Sequence, residues 1–222
     1  MSIQSMVHVA IENARFHGIN LHRGVENLAD GDCIIEAIKD NISTRHSFHE
    51  YFEETAAFYR KQWLNEAEDL VLRYSGIPEK KFRTEWNVLK QPKTYEFELG
   101  DYVLAAIAHC VKKDILIFNT TTTGPFDPIL VIEAAKLGNR KADTEIPVLL
   151  AYNQVHFEGL VPNSKFDEEK TVSLKKLYLS GEYKFQKTDI PIFSNLPQCY
   201  ADAVKAILPV SEKKECLFSC KG

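Results

Sequence analysis

A mixed α/β domain is the fold class this sequence predicts. Helical apolar spacing dominates the first half of the chain, β-rich runs follow from residue 114 to residue 161, and the links between them are short. At 222 residues the chain is long enough to bury one substantial core and needs no covalent staples.

The elements follow in order. From Ser2 to about Phe16, the residues Ile3, Met6, Val7, Ala10, Ile11 and Ala14 recur at helical spacing, and Gly18 ends this amphipathic helix. A link, His17 to Ala29, leads to a second helix from Cys33 to about Ile42. Ser43 or Thr44 stands where it can cap a long helical region. In that region Phe48, Phe52, Ala56, Tyr59, Trp63, Ala67, Leu70 and Val71 keep a three-to-four spacing as far as Tyr74, and Gly76-Ile77-Pro78 breaks it. Pro78 to Lys93 is polar and charged and reads mostly as loop, with room for one short helix. After Gly100-Asp101, the run Tyr102 to Ala108 predicts a buried helix.

Asp114 to Asn119 predicts a central strand, ended by the threonine tract Thr120 to Thr123 and by Gly124-Pro125. Pro128 to Ala134 reads as a further strand. Pro147 to Tyr152 and Val155 to Val161 read as a hairpin turned at Asn153-Gln154. Beyond Pro162, residues 163–170 read as a polar linker, followed by a less regular segment with a helix from Pro197 to Leu208. The expected division is an N-terminal amphipathic helix and link over 1–26, a core over 27–162 and a C-terminal extension over 163–222.

Composition narrows the function. A net charge of −4 argues against nucleic acid as an obligate partner, because neutralising phosphates calls for a concentrated basic face. Cys33, Cys110, Cys199, Cys216 and Cys220 are odd in number and irregularly spaced, which suggests neither a disulfide framework nor a zinc site. A reducing compartment fits them. The first residues lack a basic stretch followed by an apolar one, and no apolar run reaches membrane-spanning length, so a soluble, cytoplasmic protein with no membrane partner is expected.

One motif carries chemistry. Asp30-Gly31-Asp32-Cys33 runs straight into the apolar-periodic stretch Ile34 to Ile38, placing a cysteine on the first turn of a helix behind a glycine bend. Helix N-terminal amides carry the positive end of the macrodipole, favour thiolate over thiol and can cradle an oxyanion. A lone cysteine is more often inert packing, but a merely apolar position needs no glycine bend. The matching base is His156, just past the predicted hairpin turn, where its ring can take the thiol proton and return it to a leaving amine. The other histidines lie in or beside helices, and His109 closes a buried one. A third group has to orient the imidazole: Glu158, two residues on and on the same strand face, Asn153, or Asp30, whose alternative role is to cap the cysteine helix. These residues together suggest a cysteine hydrolase.

The Asp30 to Cys33 motif, Gly100 to Ala108 leading into Asp114 to Phe118, and Tyr152 through His156-Phe157-Glu158 agree in order and spacing with one family. Over roughly Asn27 to Val161 the chain resembles the ovarian tumour (OTU) cysteine proteases. That resemblance implies a papain-type fold with a small central sheet between helices. It also implies a deubiquitinase that cleaves isopeptide or peptide bonds after the C-terminal glycine of ubiquitin, or of a ubiquitin-like modifier, through a thioester and without metal or cofactor. By the same resemblance Cys33 is the nucleophile and His156 the general base, and the main-chain amides of Asp30, Gly31, Asp32 and Cys33 form the oxyanion hole. Asp32 stands where the family commonly has asparagine, and Glu158 where it usually has Asp or Asn. The alternative is a catalytically silent OTU-like domain that binds ubiquitin.

Overall fold

The computed structural model describes residues 3–182 apart from 28–30, 46–53, 95–98, 121–127, 139–140 and 144. Among the described residues, six helices and five strands alternate as α1 (Ile3–Phe16), β1 (Leu21–Arg23), α2 (Cys33–Arg45), α3 (Ala56–Ser75), α4 (Glu79–Leu89), α5 (Gly100–Val111), β2 (Ile115–Asn119), β3 (Ile129–Ile132), β4 (Val148–Tyr152), β5 (Phe157–Pro162) and α6 (Lys165–Leu179). The mixed α/β class is therefore observed. None of these helices is long and apolar enough to cross a membrane.

The strands form one sheet in the order β1-β5-β4-β2-β3. β2 pairs parallel with β4 and antiparallel with β3, and β5 pairs antiparallel with both β4 and β1. Strand side chains alternate between faces, which splits the core in two. Ile115, Ile117, Val148, Leu150 and Phe157 pack with α2, α3, α4 and α5. Leu116, Phe118, Leu149, Ala151 and Leu160 pack with α1 and with Leu174 of α6. A near-continuous apolar run such as Ile115–Asn119, buried at every position, is what a strand covered on both faces requires.

Several elements differ from the sequence reading. The link after α1 holds β1, whose register on β5 places Leu21 opposite Pro162 and Arg23 opposite Leu160. The helix beginning at Cys33 continues through Ser43 and Thr44, so neither is a cap. Thr55 caps α3 instead, its side chain accepting from the Phe58 amide at 3.3 Å. Phe48 and Phe52 lie outside the described residues.

The stretch read mostly as loop is the eleven-residue helix α4. Its buried residues Phe82, Trp86 and Leu89 are spaced four and three apart, one face of a helix whose other face is charged. Burial of a side chain as large as Trp86 contributes about 1.5–3 kcal/mol, and its indole N–H donates to the Leu64 carbonyl at 2.9 Å.

The polar linker is likewise the start of α6. Ser164 caps it by accepting from the Asp167 amide, and Asp167 in turn accepts from the Asn20 amide at 2.8 Å. Residues before position 27 and after 162 thus add a strand and helices to the same sheet and its second core. The helix expected over Pro197 to Leu208 lies outside the described residues.

Candidate active site

The cysteine motif folds as its composition requires. Gly31 has φ +89°, a conformation that L side chains rarely adopt, and a Cβ there would approach the Lys93 backbone to 2.7 Å. The Asp32 carbonyl accepts from the amides of Ile35 at 2.9 Å and Glu36 at 3.1 Å, so the helix begins at Cys33. The first-turn amides then point out of the helix end with the positive pole of the dipole. Cys33 itself is 4 % exposed.

A residue that sequence reasoning missed fixes this loop. Arg60 is buried in the second turn of α3, and its Nε donates to Asp32 Oδ1 at 2.6 Å. Its Nη2 donates to the Gly31 carbonyl, and its Nη1 donates to the carbonyls of Leu89 and Thr94 at 3.1 and 2.8 Å. The Lys93 amide also donates to Asp32 Oδ1, at 3.3 Å. One guanidinium thus ties the loop before the cysteine to the chain that leaves α4. The signal was present: Arg60 sits four residues after Ala56 and three before Trp63, on the stripe that should be apolar.

The hairpin positions the histidine. Gln154 takes φ +79° at the turn, and the Asn153 side-chain oxygen accepts from the amides of Val155 at 3.2 Å and His156 at 2.9 Å. Asn153 therefore holds the backbone of His156, whereas the ring is bonded by Glu158: Nε2 and Oε1 lie 2.8 Å apart, with both side chains buried. Among the described residues, the ring's other nitrogen, Nδ1, is buried and has no hydrogen-bond partner. Glu158 is the strand-face neighbour that alternation predicted, and it is buried rather than exposed. Asp30, the other carboxylate candidate, lies outside the described residues.

Glu158 has a second partner that the sequence did not disclose. Arg23 of β1 donates from Nη2 to Oε1 at 2.9 Å and from Nε to Oε2 at 3.3 Å. The Arg23 guanidinium is held above its ordinary value, first by the hydrogen bond to Glu158. On α2, burial pushes the Asp40 carboxyl up; the charge of Glu36 adds to this, and that of Glu158 adds further.

Packing fixes α2 against β5. A Cβ on Gly159 would meet the Ala37 carbonyl at 3.3 Å, and Asn41, one turn further along α2, donates to the Leu160 carbonyl at 2.7 Å. α2 therefore lies against β5 at Gly159 and Leu160. The register is locked where the β4–β5 ladder passes its Leu150–Gly159 pair, because Asn41 also donates to the Leu149 carbonyl at 3.0 Å and accepts from the Leu149 amide at 3.3 Å. His109, read as structural, lies with Nδ1 3.3 Å from the Ala134 carbonyl.

Cys33 thus begins a helix, and His156 has one ring nitrogen bonded to a carboxylate while, among the described residues, the other has no hydrogen-bond partner. No protein-family model matches the chain, and no curated protein does.

Proposed function

We propose that the chain is an OTU-like cysteine protease acting as a deubiquitinase. The observation that carries this reading is the buried Nε2–Oε1 pair of His156 and Glu158, 2.8 Å apart, with Nδ1 unpartnered among the described residues, in a chain whose α2 begins with Cys33. The order of the three sequence motifs supports the family, and the helix-flanked sheet is compatible with it.

In this reading the Cys33 thiol gives its proton to Nδ1 of His156, and the thiolate sulfur attacks the carbonyl carbon of the modifier's last glycine. The oxyanion is received by the amides of the loop that ends at Cys33. Collapse breaks the C–N bond, Nδ1–H protonates the departing lysine amine, and the acyl group stays on sulfur as a thioester. Water then gives a proton to Nδ1 and attacks the thioester, and the thiol is restored as the carboxylate leaves.

The test is ubiquitin carrying a C-terminal electrophile, followed by a panel of diubiquitins. Covalent labelling that requires Cys33, with hydrolysis of at least one linkage, is expected. An unlabelled, folded protein that cleaves none of the panel would refute the reading. A catalytically silent domain of the same class is the second reading, and it rests on the 4 % exposure of Cys33. It predicts ubiquitin binding without labelling.

A further inference from the structure

Glu158 is fully buried, and a carboxylate in that position persists as an anion only if a cation or several donors hold it. The cation is Arg23. It comes from β1, outside the core expected from the sequence, and its place is set by backbone pairing. Arg23 stands opposite Leu160, so on the same sheet face Glu158 is its diagonal neighbour, within reach of a long side chain. The Gly24 amide, donating to the Gly159 carbonyl at 2.9 Å, closes the strands on Arg23's other side, and a Cβ on Gly24 would lie 3.2 Å from that carbonyl oxygen. The fork of Arg23 contacts both oxygens of Glu158, and Oε1 is the same atom that faces Nε2 of His156.

We propose that Arg23 is a positioning residue for His156: it holds Glu158 as an oriented anion, which keeps the ring proton on Nε2 and leaves Nδ1 as the bare base nitrogen. This rests on the cysteine-hydrolase reading of His156. The chemistry follows from the inventory of donors. An ionised carboxylate only accepts, so Nε2 has to donate to it; a protonated one can donate, and the neutral ring would then carry its hydrogen on Nδ1, where it cannot take a thiol proton. Of the other charged groups near the pair, Glu26 lies 3.4 Å from Arg23, Asp40 on α2 feels the charges of Glu36, Lys39 and Glu158, and Lys39 donates to Glu36 and to the Glu54 carbonyl. None of these can replace the guanidinium.

The experiment compares the parent chain with Arg23→Gln and Arg23→Lys. It reads the His156 ring nitrogens by nitrogen-15 NMR with the ring neutral, and kcat and KM on a cleavable diubiquitin. The parent is expected to show Nε2–H. Arg23→Gln is expected to move the ring toward Nδ1–H and to lower kcat about tenfold or more with little change in KM. Arg23→Lys, which keeps the charge without the fork, should restore much of both. A folded Arg23→Gln protein that keeps Nε2–H and the parent kcat overturns the proposal. So does a loss of kcat with the tautomer unchanged, which would mean that Arg23 acts by another route. If the parent is neither labelled by the ubiquitin probe nor active, the functional reading fails, while the NMR comparison still decides what Arg23 does to His156.

Discussion

Arg60 Nε lies 2.6 Å from the carboxylate of Asp32, so the residue immediately before the cysteine is fastened to the second turn of α3, 28 positions away in sequence. Because the same guanidinium also reaches Gly31, Leu89 and Thr94, the backbone that would receive an oxyanion is held from outside the motif that defines it.

Arg60→Met should therefore cost stability as well as rate. It leaves Asp32 buried without its cation and two segments without their tie, a loss of about 3–5 kcal/mol in urea unfolding. Arg60→Lys keeps a charge but not the fork. It should fold better than Arg60→Met and still react slowly with the ubiquitin probe. Parent-like stability for Arg60→Met would show that the clamp contributes nothing.

Cys33→Ala removes one sulfur atom from a buried position and should change stability by only about 1 kcal/mol. Probe labelling and diubiquitin cleavage should both disappear while ubiquitin binding persists. Residual hydrolysis above background in the purified variant would assign the nucleophile elsewhere.

Glu158→Gln keeps an oxygen that can accept from Nε2–H but removes the charge that stabilises an imidazolium, so turnover should fall about tenfold or more, equivalent to at least about 1.4 kcal/mol in the barrier. His156→Ala should be more damaging near neutral pH, since it removes both the base and the donor to the leaving amine. Asn153→Ala should act through the turn, lowering thermal stability along with rate. A kinetically silent Glu158→Gln would return the third role to Asp30.

Asn41→Leu should be among the more costly single changes. It strands the carbonyl and the amide of Leu149, each worth about 1–3 kcal/mol when buried without a partner, and removes a donor to the Leu160 carbonyl. Calorimetry measures the loss. If the folded fraction still reacts with the probe at the parent rate, the Asn41 register is not needed to align Cys33 with His156.

The pH dependence of stability has a local source at Asp167. Its carboxyl is held below its ordinary 3.8, first by the Ser164 hydroxyl and then by the Asn20 amide. The unfolded chain therefore takes up a proton before the folded one as pH falls. The stabilisation is complete above the ordinary value and is lost as pH drops through the folded one. Asp167→Asn should lower stability at neutral pH, and the gap to the parent should narrow below pH 3.8. A gap that stays constant under acid titration would mean the carboxylate's charge is not what matters.

Local chemistry made much of the fold legible. α1, α5, β2 and the β4–β5 hairpin carry uninterrupted periodicity and clear breakers, so their apolar spacing fixes both type and position. α4 and the start of α6 were hidden because their exposed faces are dense in charge, and average polarity outweighed the few buried positions, Phe82, Trp86 and Leu89 in one case and Thr171 and Leu174 in the other. β1, three residues long, is too short to show a period at all.

By itself the sequence determined that a cysteine begins a helix behind a glycine bend, that a histidine follows a hairpin turn, and that Glu158 shares the histidine's strand face, because each is a consequence of spacing within a few residues. Only the tertiary structure decided what holds those groups. Arg60 reaches Asp32, Asn41 reaches Leu149 across 108 positions, and Arg23 reaches Glu158 across 135. The reason is physical: such contacts are single polar side chains meeting across the packed sheet, and a lone arginine or asparagine leaves no periodic trace along the chain to say which distant partner it will satisfy.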